Sequence, residues 1–109
     1  MESVIRPGVV FLAEVLPGKY RPAVVVNNFG NHSTIIPLRG VTEEDINVGV
    51  PTGQLYVNFY NNTAEGSIAQ TDCMKSVPNL RLVKELGEMY ATDVRAINNM
   101  IKFGGVICA

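Results

Sequence analysis

The stretch Lys19-Tyr20-Arg21-Pro22-Ala23-Val24-Val25-Val26 decides how the rest of the chain is read. Val24 to Val26 is a continuous β-branched run, which predicts a strand covered on both faces. Proline fixes φ and donates no backbone hydrogen bond, so a strand is expected to start at Pro22 and not to pass through it in mid-sheet. Lys19 and Arg21 then stand at the mouth of a buried strand, with Arg21 held by a stiff neighbour. A guanidinium fixed in this way suits an anionic ligand. A solvated arginine at an ordinary strand start fits the segment equally well when it is taken alone.

Working outward, Val9 to Val15 follows Pro7-Gly8 and alternates as a first strand, and Leu16-Pro17-Gly18-Lys19 is a short turn. The second strand runs from Arg21 to Asn27. Asn28-Phe29-Gly30-Asn31 has the chemistry of a tight reversal. Thr34 to Leu38 is a third strand, interrupted or ended by Pro37. Residues 39–53 form the longest loop, with Glu43-Glu44-Asp45 expected as a solvated face; loops of such length are usually functional or mobile. Gln54 to Tyr60 alternates as a fourth strand, Asn61-Asn62-Thr63 turns it, and Ser67 to Met74 is a fifth. Pro78-Asn79-Leu80 suggests a helical turn and Glu85 to Met89 a last strand. From Thr92 the period changes: Val94, Ile97 and Ile101 form one stripe of a helix from Thr92 to Lys102, closed by Gly104-Gly105. The expected fold is mainly β with a C-terminal helix, a barrel-like, strongly bent antiparallel sheet of five or six strands in a single domain over residues 1–109.

Composition narrows the function. The chain has 109 residues, 47% hydrophobic and 17% charged, with net charge −1, which describes one packed globule without a basic tail. Nucleic-acid binding would therefore rest on a local patch. No apolar run reaches membrane-spanning length and no signal-peptide layout opens the chain, so a cytoplasmic protein away from membranes is expected. Cys73 and Cys108 belong to no metal-spaced cluster and read as free thiols of a reducing compartment. The lone histidine, His32, lies in a turn with no carboxylate pair at ligand spacing, so neither metal nor cofactor is expected.

The segment Ser67-Ile68-Ala69-Gln70-Thr71-Asp72-Cys73-Met74-Lys75-Ser76 is apolar at its start and polar toward its end. As a strand it would deliver Gln70 and Asp72 on one face of a sheet rim, with Lys75 on the other. An edge strand guarded by charge explains the pattern as well as a site does.

Taken in order, Arg21-Pro22-Ala23-Val24-Val25-Val26, Ile36-Pro37-Leu38, Pro51-Thr52, Ser67 to Asp72 with Lys75-Ser76, and Leu80 to Met89 resemble the MazF/PemK family, the toxins of type II toxin–antitoxin modules. The resemblance implies a homodimer that cleaves single-stranded RNA sequence-specifically and without metal. It also implies restraint by an antitoxin whose disordered acidic C-terminal segment lies along the same groove. In such a reaction the RNA 2′-hydroxyl attacks the adjacent phosphate, which needs proton transfer at both oxygens and a cation for the growing charge. Arg21 matches the family's catalytic arginine, Asp72 its acidic position, and Lys75-Ser76 its basic-then-hydroxyl pair. Arg39 stands where the family commonly has a catalytic threonine, and Thr42 reaches that place if the loop shifts by three. Gln70 stands where some members have a second arginine. The candidate catalytic residues are thus Arg21, Asp72, Arg39 and Thr42, with Lys19, Gln70, Lys75, Ser76 and Arg81 as candidate RNA contacts. A catalytically silent binding module of the same fold is the alternative. A gyrase poison like the CcdB proteins fits less well, because those use a C-terminal tryptophan and this chain has none.

Overall fold

A computed structural model describes residues 5–58 and 66–104. Seven strands form one antiparallel sheet: β1 (Val9–Leu16), β2 (Lys19–Asn28), β3 (His32–Gly40), β4 (Leu55–Val57), β5 (Ser67–Ala69), β6 (Lys75–Pro78) and β7 (Leu82–Glu88). A short helix, α1 (Glu43–Asn47), lies between β3 and β4, and α2 (Ala91–Gly104) follows β7. The strand order is β4-β5-β3-β2-β1-β7, with β6 also on β3.

β3 is the pivot. One of its edges pairs with β2; the other pairs with β6 from His32 to Ile35 and with β5 from Leu38 to Gly40. A strand sandwiched in this way has both faces available for burial, and Ile35, Ile36 and Leu38 are all buried. Alternation sends them to opposite sides. Val10, Val24, Ile36, Leu38, Val57 and Ala69 build one core, capped by Ile97 of α2 with Val94 and Ile101 beside it. Val9, Phe11, Ala13, Ala23, Val25, Ile35 and Val77 build a second on the face turned away from α2.

Register shifts break the ladder at Glu14/Leu16, at Val10/Phe11, at Leu12/Ala13 and at Val25/Asn27. Such bulges bend strands and raise their twist, which lets one sheet enclose apolar residues on both faces. Among the described residues β4, β6 and β7 are each paired on one side only, so the sheet is bent but not closed. The reversal between β1 and β2 is tight: Gly18 has φ +75°, a region costly for any residue with a Cβ, and its N–H donates to Glu14 Oε2 at 3.1 Å.

Several expectations are corrected. The sheet has seven strands, not five or six. Pro22 is the fourth residue of β2, not its first, and lies opposite Leu12. Pairing with β3 begins only at Ala23, so on that side Pro22 still belongs to an edge, where a missing N–H costs no ladder bond. Pro37 does not end β3, which continues to Gly40; its carbonyl accepts from the Gln70 N–H at 2.9 Å. The fifth strand stops at Ala69, and Thr71–Cys73 is a 3-10 turn, so Gln70 and Asp72 do not alternate along a strand. The long loop contains α1, and Asp45 is not a solvated residue, its side chain being 5% exposed. Cys73 is disulfide-bonded, not a free thiol, and this removes its support for a reducing compartment. Cys108, Gly105, the end of the expected fourth strand and the turn at residues 61–63 lie outside the described residues. No helix among the described residues is long and apolar enough to cross a membrane.

Candidate functional site

Arg21 sits near the start of β2 directly opposite Ala13, a member of the core turned away from α2. Opposed residues of an antiparallel pair share a face, so Arg21 lies on that side. It is exposed, and no hydrogen bond or ion pair engages its guanidinium among the described residues. The same parity applies to Arg39, four residues along β3 from Ile35, and to Lys75, which is paired with Ile35 directly. Three cations drawn from β2, β3 and β6 therefore share the sheet face opposite α2. The last pair of the β2–β3 ladder is Ala23–Pro37, and Arg21 and Arg39 each stand two residues beyond it on their own strands.

Arg39 is heavily engaged. Its Nη1 and Nη2 donate to the two carboxylate oxygens of Asp45 at 2.7 and 2.9 Å, a fork-to-fork pair. Nε and Nη2 donate to Gln54 Oε1 at 3.2 and 2.9 Å. Because Arg39 has only donors, it orients the Gln54 amide with its oxygen inward. The amide nitrogen then faces the carboxylate of Asp72 at 3.3–3.4 Å. At the other end, Thr42 caps α1 in a capping box: its Oγ1 accepts from the Asp45 N–H, and Asp45 Oδ2 accepts from the Thr42 N–H at 2.8 Å. Bonds from Arg39, then from the Thr42 backbone, hold the Asp45 carboxyl well below the usual carboxylate range; the bond to Asp45 chiefly raises Arg39, with Asp72 adding to it.

The tertiary fold thus joins Thr42, Arg39 and Asp72, three residues named from sequence, through two that were not, Asp45 and Gln54. No sequence pattern marks Gln54. Asp45 carried a signal, the Thr42-x-x-Asp45 spacing, which matches a capping box with aspartate in the glutamate position. Gly53 takes φ +86° beside this network, and a Cβ there would stand 3.4 Å from the Cβ of Asp72.

Lys75 also belongs to a second group. Lys75, Ser76 and Arg81 line a cleft of about 370 Å³ together with Val15, Leu16 and Pro17 of the β1–β2 reversal. Lys75 Nζ approaches the Val15 carbonyl at 3.5 Å, and Arg81 Nη1 pairs with Glu14 at 3.2 Å, a second partner not anticipated from sequence. Lys19 is exposed opposite Leu16, and Gln70 is half-buried at the entry to the 3-10 turn. His32 opens β3, stacked on Phe29 and bonded to Asn31, apart from both groups. Among the described residues no three His, Cys, Asp or Glu side chains gather where a metal ion could be held.

Solved structures with the same architecture are known. An endoribonuclease from a mycobacterial species, in complex with its cognate antitoxin, superposes with a TM-score of 0.68 at 14% identity, covering 87% of this chain and 88% of the other. The Mycobacterium tuberculosis toxin MazF-mt6 superposes at 0.67 with 18% identity, covering 88% and 92%. The chain has the MazF fold. A further mycobacterial endoribonuclease matches at a TM-score of 0.67 and 15% identity, over 93% of this chain and 89% of its own. No protein-family profile and no curated protein matches the sequence. The MazF likeness is therefore one of backbone architecture and not of side-chain identity.

Proposed function

We propose that this protein is an endoribonuclease toxin of the MazF type, cutting single-stranded RNA and restrained by an antitoxin. The observation that supports this most directly is Arg21: exposed, without a partner among the described residues, and set on the same sheet face as Arg39 and Lys75 in a fold shared with endoribonucleases. Arg21 is the cation for the charge that builds on phosphorus as the 2′-oxygen attacks, because a guanidinium gives bidentate donors that stay charged. Asp72, held by Gln54, stands at the rim of the same region. Lys75, Ser76 and Arg81 track the RNA on either side of the β1–β2 reversal, with Lys19 and Gln70 at the margins. Metal plays no part in the proposed step, and cleavage is specific to a short sequence.

The test is cleavage of a long single-stranded RNA in EDTA. Discrete fragments are expected, and Arg21→Ala should abolish them. Fragments persisting in that variant would remove Arg21 from the mechanism, and no fragments from the wild-type protein would overturn the activity.

The proposed assembly is a twofold dimer in the cytoplasm, built on the sheet and α2. Only monomer at micromolar concentration in sedimentation would overturn it. The antitoxin contributes an acidic, disordered segment that pairs with the same cations, so it and RNA should compete. Arg81→Glu, which also sets a carboxylate beside Glu14, should weaken both ligands. A catalytically silent binding module is favoured by one observation: Arg39, at the position of the family's threonine, already has its five N–H groups taken by Asp45, Gln54 and the Gly40 carbonyl. Induced expression separates the two, since growth arrest with bulk RNA decay requires the enzyme.

A further inference from the structure

The Arg39–Asp45 pair has the form of an occupied ligand site. A guanidinium presenting two N–H groups to two oxygens is the geometry in which arginine takes a phosphodiester as well as a carboxylate. Here the oxygens belong to α1 of the same chain, at 2.7 and 2.9 Å, and the pair is well shielded, with 19% of the Arg39 side chain and 5% of the Asp45 side chain exposed. Arg39 stands level with Arg21, each two residues beyond the Ala23–Pro37 pair on neighbouring strands and on the same face.

We propose that Asp45 is an internal stand-in for phosphate: α1 is a strap that occupies Arg39, and lifting it frees a second arginine beside Arg21 for a nucleic-acid phosphodiester. The proposal rests on the reading of this face as an RNA site and names how that site is regulated.

The strap is built to move as a unit. α1 has five residues and buries no apolar side chain: Ile46, and Val48 just after the helix, are 75% and 81% exposed. It is therefore held by its polar contacts: the capping box at Thr42 and the grip on Arg39. Helices this short are marginal without tertiary support. A cleft of about 320 Å³ opens beside the pair, lined by Arg39, Thr42, Glu44, Asp45, Gly49 and Pro51, and gives an incoming anion a route to the guanidinium. Lifting the strap need not collapse the neighbouring side chains, because Gln54 continues to bind Arg39 on its other edge.

The test uses the full-length protein and a short oligonucleotide made entirely of 2′-deoxy residues, which cannot be cut by 2′-hydroxyl attack. Binding is followed by fluorescence anisotropy across a salt series, with thermal unfolding of each variant measured in parallel. Asp45→Asn should bind about tenfold more tightly than wild type, and its salt slope should steepen by about 0.7, the increment for one added phosphate contact on a single strand. Thr42→Val, which loosens the strap and leaves the Arg39 pair chemically intact, should show a smaller gain of the same kind. The gain should vanish in Asp45→Asn combined with Arg39→Ala. Glu43→Gln makes the same change in net charge two residues before Asp45 on α1, at an exposed position; an equal gain there would reduce the effect to bulk charge and overturn the proposal. Unchanged or weaker binding by a folded Asp45→Asn would also overturn it, and should that variant fail to fold, unchanged binding by Thr42→Val does so. These outcomes are independent of RNA cleavage. A protein that cuts no RNA yet shows the Asp45 effect loses the enzymatic reading and keeps the strap, whereas an active nuclease indifferent to Asp45 and Thr42 keeps the first and loses the second.

Discussion

Ser33 and Asn79 lie 46 positions apart and are joined by a 2.8 Å hydrogen bond from the Ser33 hydroxyl to Asn79 Oδ1. Ser33 is fully buried and also accepts from Asn28 Nδ2 at 2.9 Å, while Asn79 Nδ2 donates to the Gly30 carbonyl. The cluster ties the β2–β3 reversal to the 3-10 turn Asn79–Arg81, and so holds the backbone that carries Arg81. Asn79→Ala takes the acceptor from the buried Ser33 O–H, which keeps only the bond it accepts from Asn28, a cost of about 1–3 kcal/mol. Urea unfolding is expected to place the variant in that range; a change within 0.5 kcal/mol, the scatter of about that size seen for neutral surface substitutions, would show that the cluster relaxes around the loss.

Arg21 offers the opposite case. It is exposed and no described group holds it, so Arg21→Ala should leave stability within about 0.5 kcal/mol of wild type. Cleavage should fall by about 100-fold or more, the scale seen when a group stabilising transition-state charge is removed. Arg21→Lys should recover only part of it, because an ammonium lacks the bidentate fork. The check is kcat at saturating RNA beside a thermal melt; parallel loss of both activity and fold would assign Arg21 a structural role.

Acid should act on the Asp45–Arg39 pair in a defined direction. The Asp45 carboxyl is held below its ordinary range by Arg39 and Thr42, so its contribution to stability is complete above the unfolded-state value of about 4 and is lost as pH falls below that. Asp45→Asn does not titrate there. The difference in melting temperature between wild type and Asp45→Asn should be constant from about pH 5 to 7 and should narrow in more acidic solution. A difference that widens on acidification would contradict the pairing.

Helix α2 is fastened chiefly by Ile97, which is 2% exposed within the first core. Ile97→Ala should cost about 2–5 kcal/mol through lost burial and the cavity left behind. Ile97→Val should cost about 0.5–1.5 kcal/mol. Denaturant unfolding of both variants checks the ratio, and similar costs would mean that the helix can shift to fill the space.

Much of the fold follows from local pattern. Val24-Val25-Val26 and Ile35-Ile36-Pro37-Leu38 are too apolar to face water on either side, so strands covered on both faces were legible before any pairing was known. The stripe of Val94, Ile97 and Ile101 did the same for α2, and Asn79 marked a helical turn. The prolines were misread because whether a strand tolerates Pro22 or Pro37 depends on which of its edges is paired at that residue, and pairing is not local. The polar end of the fifth segment was misread for a related reason: alternation holds only while a strand continues, and after Ala69 the chain turns into a 3-10 turn to meet α2.

The site divides in the same way. The exposed placement of Arg21 just before a buried run was legible, because that setting is written in adjacent positions; its role in RNA cleavage is the proposal made above. Only the tertiary structure decided that Arg39 meets Asp45, that Gln54 links Arg39 to Asp72, and that Glu14 meets Arg81. Each of these contacts is made by side chains that chain reversal brings together. Charge pairing acts through space over a few ångströms, and sequence separation does not measure that distance.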